Sequence, residues 1–138
     1  MKQLTSIDSN FHFQGNQIVC LEHENSFLYA EVIQVIELRQ TCWVRPWILK
    51  VLSLKHNNLP EFDDNSTIFD LRESADLVLP ISLFRAALDT EVIPLLSELD
   101  NLESQEQDLI LPRQKLRQFV ESVWQAYKPV FSQTKSTN

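Results

Sequence analysis

Trp43, Arg45 and Trp47 alternate along an apolar stretch of the chain, and their residue types suit recognition chemistry. Alternate side chains of a β-strand point to one face, so the two indoles would flank the guanidinium. Tryptophan and arginine are enriched at the energetic centres of protein interfaces, and a guanidinium beside an indole adds a cation–π attraction of ~0.5–1 kcal/mol. The spacing therefore predicts a partner-binding strand face. The opposite face would hold Cys42, Val44 and Ile48, provided that Pro46 does not shift the phase.

A competing interpretation treats the same strand face as core. The final helix of the chain would then cover it, and Arg45 would need a buried partner, most simply Glu31 on the preceding strand. The residue pattern leaves both interpretations open.

A second concentration of charge runs from Asp70 to Asp76, in a predicted turn between two strands. Arg72, together with Arg85 further along the chain, is predicted to extend the partner-binding surface. In the alternative, these charges pair with one another and set the turn, each surface pair contributing only ~0–1 kcal/mol. A third hypothesis is an enzyme in which Asp70, Asp76 and Arg72 converge in one pocket.

The sequence contains no motif for a cofactor, a metal ion or a catalytic nucleophile. Its one glycine, Gly15, argues against nucleotide binding, because phosphate-binding loops need several positions without a side chain. Asp63 and Asp64 could offer oxygen ligands to a cation, but no alternating acidic loop surrounds them. Cys20 and Cys42 lie in apolar runs and are expected to be buried, inert thiols. We therefore predict a non-enzymatic protein without cofactor, metal site or catalytic residues.

The net charge of −7 is unevenly distributed along the chain. Residues 113–138 hold five of the twelve lysines and arginines against one acid and carry +4, while the remaining residues carry −11. Phosphate contacts supply much of the affinity for nucleic acid, so the acidic bulk of the chain favours a protein partner. A barrel that grips a single nucleic-acid strand with the Trp/Arg strand and the basic final helix is the alternative.

Five β-rich segments followed by helical ones predict the α+β class. The strands are placed at residues 17–21, 27–38, 41–45 (continuing at 47–52 past Pro46), 67–71 and 76–79. Two helices are placed at residues 83–88 and 90–99, and a final one begins near Pro112 with an unbroken apolar stripe. Strands of this number and length suit a small SH3-like five-stranded barrel, or an open antiparallel sheet, followed by C-terminal helices.

The chain length suits one domain. We assign residues 1–14 to a flexible arm, residues 15–128 to the domain (15–80 its β part, 81–128 its helical part) and residues 129–138 to a frayed tail. No apolar run approaches the ~20 residues of a membrane span, and the N-terminus lacks a secretory signal pattern. A cytoplasmic protein is therefore expected.

Two blocks of the sequence are distinctive. One is Cys42-Trp43-Val44-Arg45-Pro46, and the other runs from Leu83-Phe84-Arg85 to Asp89-Thr90-Glu91. In these blocks, and over about residues 17–97, the chain resembles a family of small uncharacterised cyanobacterial proteins. The resemblance implies a photosynthetic prokaryote as the source and no specific activity.

Overall fold

Six antiparallel strands form one sheet in the computed structural model, which describes residues 13–53, 66–103 and 110–129. The strands are β1 (Ile18–His23), β2 (Ser26–Ile36), β3 (Thr41–Leu52), β4 (Ser66–Asp70), β5 (Leu77–Pro80) and β6 (Arg85–Ala86). Their order is β4-β3-β2-β1-β6, and β5 pairs with β3 beyond the part that β4 occupies. Among the described strands no pairing joins β6 to β4 or β5, so the sheet has two edges.

The hairpin of β2 and β3 forms the centre of the sheet. Both strands are rich in β-branched and aromatic residues, which pack well on a pleated surface. A 3₁₀ turn (Glu37–Arg39) and Gln40, whose φ is 55°, connect them. The link therefore spans residues 37–40 and is longer than the two-residue link predicted at residues 39–40.

A β-bulge at Trp47 changes which residues of β3 face each side of the sheet. Tyr29 pairs with Ile48 but Ala30 pairs with Pro46, so Trp47 is an extra residue on β3. Pro46 is buried and has no N–H to give to the ladder, which accounts for the irregularity at this point. The phase therefore shifts at Pro46, the condition attached to the predicted arrangement is not met, and Ile48 lies on the face opposite Cys42 and Val44.

Two helices follow the sheet, α1 (Asp89–Glu103) and α2 (Ile110–Ala126), and each covers a different face. On the first face, α2 packs through Leu116, Phe119 and Val123. On the second face, α1 packs through Leu95 and Leu99. Tertiary burial of an apolar stripe supplies most of the stability of helices of this length. The first cluster includes the sheet residues Val19, Leu21, Leu28, Ala30, Val32, Cys42, Val44 and Leu49, and the second includes Cys20, Tyr29 and Ile48.

The predicted α+β class, with an antiparallel β part followed by C-terminal helices, is confirmed. The sheet has six strands instead of the predicted five. The helix predicted over residues 83–88 is wrong, because a 3₁₀ turn (Ile81–Leu83) precedes β6 there. Arg85 and Ala86 pair with β1, and the N–H of Ala87 donates to the carbonyl of Ile18 over 3.0 Å. These ladder bonds satisfy backbone groups that a six-residue helix would leave unpaired at its ends.

The predicted arm and tail fall almost entirely outside the described residues, and the division of the chain stays a prediction. Phe13, at the start of the described part, packs against the first cluster. In the described ranges, no helix has both the length and the apolar character needed to cross a membrane.

Candidate functional site

Asp76 joins Trp43 and Arg45 into one hydrogen-bonded cluster. The indole Nε1 of Trp43 donates to Oδ2 of Asp76 over 2.9 Å. Arg45 donates its Nε to Oδ1 over 3.1 Å and a terminal nitrogen to Oδ2 over 3.3 Å. The pairing of Val44 with Leu77 brings the residue just before β5 alongside these two side chains of β3. We name Trp43, Arg45 and Asp76 the Trp43 cluster.

Charge as well as geometry holds the Trp43 cluster together. The hydrogen bonds from Arg45 and, secondly, from Trp43 lower the pKa of Asp76 below its ordinary value of 3.8. The side chain of Arg45 is 51% exposed and that of Asp76 is 28% exposed, so the ion pair lies at the surface. Surface pairs add little to stability. The Arg45–Asp76 pair instead fixes the orientation of the Trp43 indole and the Arg45 guanidinium.

A partly exposed strip of the second sheet face surrounds the Trp43 cluster, in which the indole of Trp43 is itself partly buried. The strand register places Gln34 of β2 and Val78 of β5 on either side of Trp43, and Glu31 beside Arg45. Val78 is 56% exposed, and Gln34 and Arg45 are exposed as well. The final helix lies on the other face of the sheet. The interpretation in which that helix covers Trp43 and Arg45 is therefore wrong.

The partner of Arg45 differs from the predicted one. Glu31 pairs with Arg45 in the strand register, but the hydrogen bonds of Arg45 go to Asp76. Arg45 was also expected to make a cation–π contact with the indoles, but its guanidinium is paired with Asp76 instead. Among the described residues the cation–π contacts come from lysines, with Lys115 over Phe69 and Lys128 over Trp124.

Trp47, the third aromatic/Arg residue predicted on this strand face, lies on the same face as Trp43 and Arg45, as predicted. Its partly buried side chain packs against the second apolar cluster on that face. Its backbone carbonyl accepts a hydrogen bond from the N–H of Leu71 over 2.8 Å. Trp47 therefore anchors the start of the segment that ends at Asp76.

The other two predicted contact residues are held by carboxylates of the same chain. Arg72 donates two hydrogen bonds to Asp70, of 3.0 and 2.8 Å. Arg85 lies between Glu22, at 2.6 Å, and Glu91, at 2.8 and 3.1 Å. These bonds lower the pKa of Asp70 and of Glu91 below their ordinary values. The alternative interpretation, in which these charged side chains pair with one another, therefore describes Arg72 and Arg85.

The structure does not bring Asp70, Asp76 and Arg72 together in the single pocket that the enzyme hypothesis requires. Asp70 is paired with Arg72, whereas Asp76 is paired with Arg45 and Trp43. None of these three residues lines the groove that lies between α2 and the segment 73–77. Within the described residues no three histidine, cysteine, aspartate or glutamate side chains are grouped to hold a metal ion, and Asp63 and Asp64 lie outside those residues.

Both thiols are buried inside the sheet. Burial raises the pKa of Cys20 to about 12 and that of Cys42 to about 11. Cys20 contacts the hydroxyl of Tyr29, whose pKa is raised mainly by burial as well. Since the thiolate is the reactive form, these cysteines are structural, as the sequence predicted.

A groove of about 950 Å³ lies between α2 and the segment 73–77, and no pattern in the sequence predicted it. We name it the α2 groove. Its apolar lining comes from Ala75, Leu77, Leu116, Val120 and Trp124, and its charged lining from Glu73, Arg113, Arg117 and Glu121. The groove depends on packing between distant parts of the chain, which is why periodicity could not reveal it.

Comparison with known proteins adds one distant structural likeness. No protein-family model and no curated protein matches the chain. Among solved structures, the chain is similar to kinase-associated protein B from Bacillus cereus at 14% identity, over 83% of this chain and 99% of that one, with a TM-score of 0.31. A score of this size supports no inference about shared function.

Proposed function

We propose that the protein is a cytoplasmic, non-enzymatic binding module that contacts a partner protein through the Trp43 cluster, as an adaptor, assembly factor or regulatory subunit. The observation that carries the proposal is the position of Asp76, which holds the partly buried Trp43 and the exposed Arg45 in place on one sheet face. Side chains that are already ordered lose less conformational entropy on binding. The cyanobacterial origin implied by the sequence blocks belongs to the same proposal.

The composition of the surface supports a protein as the partner. Trp43 and Arg45 are of the types that dominate interface hot spots, and the neighbouring Val78 adds exposed apolar area. A nucleic-acid strand held by both the Trp43 cluster and the basic residues of α2 would have to pass around the edge of the sheet, because the two lie on opposite faces. The acidic remainder of the chain opposes such a path.

The test is a pull-down from cyanobacterial lysate, with and without nuclease treatment, comparing the wild-type protein with a Trp43→Ala/Arg45→Ala double variant. Arg39→Ala serves as the control, since Arg39 is an exposed cation at the hairpin link. Circular dichroism and urea unfolding establish that every variant is folded. We expect a protein that co-purifies with the wild type and with Arg39→Ala but is lost with the double variant.

Two results would contradict the proposal. A folded double variant that retains every partner would place the binding surface elsewhere. A partner that disappears after nuclease treatment, with binding that collapses as salt is added, would identify nucleic acid instead, because counterion release makes such binding steeply salt-dependent.

A further inference from the structure

The α2 groove combines an apolar lining with cations that lack a full set of acceptors. Among the described residues no carboxylate pairs with Arg117, not even Glu121 one turn further along α2. Arg113 makes a single hydrogen bond of 3.3 Å, to the backbone carbonyl of Glu73. Both arginines are exposed and line the groove. Two guanidinium groups therefore stand beside apolar surface with most of their donors unused by the described part of the chain.

The charge of α2 and the residues just after it is opposite to that of the rest of the chain. Residues 110–129 carry four basic groups and one acid, a net +3, whereas the rest of the chain carries −10. In the lining of the α2 groove itself, Glu73 and Glu121 balance Arg113 and Arg117. An acidic ligand must therefore gain enough from contacts at the two guanidinium groups to offset repulsion by these carboxylates and by the acidic remainder. Carboxylates directly on the arginines, with apolar side chains in the groove, would supply both kinds of contact.

We infer that the α2 groove docks a short segment of a partner protein that combines carboxylates with large apolar side chains. The apolar side chains would lie against Leu77, Val120 and Trp124, and the carboxylates would pair with Arg117 and Arg113. A guanidinium binds a carboxylate through two parallel hydrogen bonds, which gives such a site orientation as well as affinity. This inference is independent of the function proposed for the Trp43 cluster, which lies on the other sheet face.

The length of the groove fits a linear segment. Its lining residues on α2 run from Arg113 to Gln125, a distance of about 18 Å at the helical rise per residue. An extended segment of about five or six residues covers that length. Binding through so few residues requires each apolar side chain to be well buried and each carboxylate to be paired.

A second copy of the chain fits the groove less well than a partner segment does. The exposed side of α1 does offer Ile93 and Leu96, and the helix carries five acids and no base. However, α1 and α2 lie on opposite faces of the sheet. Docking α1 of one copy into the groove of the next would therefore be a head-to-tail contact. Such contacts build an open chain of copies instead of a closed oligomer.

The experiment selects binders from a random peptide library displayed on phage, using the full-length wild-type protein as bait. Selected peptides are synthesised with a fluorophore, and their affinity is measured by fluorescence anisotropy against the wild type, Arg117→Glu and Trp124→Ala. Arg39→Glu makes the same change of charge far from the groove and is the matched control. Sedimentation of each protein reports its oligomeric state.

We expect selected peptides to share acidic and large apolar residues. Arg117→Glu and Trp124→Ala should weaken their binding at least about tenfold, as expected for central interface residues, while Arg39→Glu leaves it unchanged and Trp43→Ala weakens it less than either groove variant. Peptides without carboxylates, or equal weakening by Arg117→Glu and Arg39→Glu, would overturn the inference. Concentration-dependent oligomers of the wild type that Arg117→Glu abolishes would identify a second copy as the occupant and overturn it too. If only Trp43→Ala abolishes peptide binding, the proposed function stands and this inference fails.

Discussion

Arg85 and Glu91 form a two-point ion pair, with nitrogen–oxygen distances of 2.8 and 3.1 Å, that ties β6 to the first turn of α1. The same Glu91 Oε1 accepts a hydrogen bond from the backbone N–H of Leu88 over 3.0 Å. This N–H precedes the helix and has no acceptor within it, so the carboxylate acts as half of a capping box. Glu22 of β1 binds the other side of Arg85, and one guanidinium thus fixes the helix to the sheet edge.

Replacing Glu91 by Ala should loosen the start of α1. The change removes the acceptor for Leu88 and one carboxylate from Arg85, so we expect the free energy of unfolding to fall by about 1 kcal/mol. Hydrogen exchange should rise first in the opening turn of α1 and in β6. Asp89→Ala removes an exposed acid from the same turn, is the control, and should have a smaller effect because it removes only a favourable charge at the helix N-terminus. Equal effects of the two variants would show that the ion pair does not anchor the helix.

Leu99 and Leu96 test the packing of α1 within one helix. Leu99 is 2% exposed and belongs to the second apolar cluster, whereas Leu96 is 38% exposed. We expect Leu99→Ala to lower the free energy of unfolding by ~2–5 kcal/mol, as buried leucine truncations do. Leu96→Ala should cost far less, because its surroundings are partly water already. Urea unfolding measures both values, and similar losses would contradict the docking of α1 described above.

The paired carboxylates predict a loss of stability in acid. Hydrogen bonds from arginines lower the pKa of Asp70 and Asp76 below 3.8 and that of Glu91 below 4.5. A depressed native pKa contributes stability that is present above the ordinary value and is lost as the pH falls through the native one. The free energy of unfolding should therefore decline as the pH is lowered from about 5 towards 3.

Urea unfolding at several pH values checks this decline. The substitutions Asp70→Asn, Asp76→Asn and Glu91→Gln each remove one depressed pKa, so each should make the acid limb shallower than in the wild type. Glu98→Gln, which removes an exposed carboxylate of α1, should leave the slope as it is. A wild-type free energy of unfolding that stays constant down to pH 3 would contradict the ion pairs as a group.

The thiols should be unreactive in the native protein. Burial raises the pKa of Cys20 to about 12 and of Cys42 to about 11, so almost no thiolate exists at pH 8. We expect a disulfide-exchange reagent such as Ellman's reagent to label neither cysteine in buffer and both in urea. Cys20→Ser and Cys42→Ser assign any residual signal. Rapid labelling of either residue in the folded state would show that the sheet opens at that strand.

The predictable parts of this structure are those governed by local pattern. Strand alternation and β-branched residues locate the long hairpin, and the apolar stripe from Leu116 to Tyr127 locates α2. The start predicted near Pro112 lies two residues from the observed one at Ile110. The face of Ile48 was not predictable. Pro46 indicates a bulge in β3, but the sequence does not show which residue next to Pro46 becomes the extra one. Arg85 was misplaced in a helix, since its strand exists only through pairing with β1.

The Trp43 cluster was predictable in part. Trp43 and Arg45 were identified by residue type and spacing, and Asp76 belonged to a turn noted for its charge. Their meeting depends on the pairing of β5 with β3, and sequence patterns do not specify the register of strands distant in the chain. The α2 groove depends on the same contact, since the segment 73–77 forms one of its walls.

The segment 73–77 belongs to both surfaces of the molecule: its side chains line the α2 groove, and its Asp76 holds the indole and guanidinium on the opposite face. Two ligands that each restrain this segment would be thermodynamically linked without touching one another. Linkage is reciprocal, so the factor by which the first ligand changes the affinity for the second equals the factor by which the second changes the affinity for the first. A strand connection of a few residues would then set whether the two partners assemble together or exclude each other.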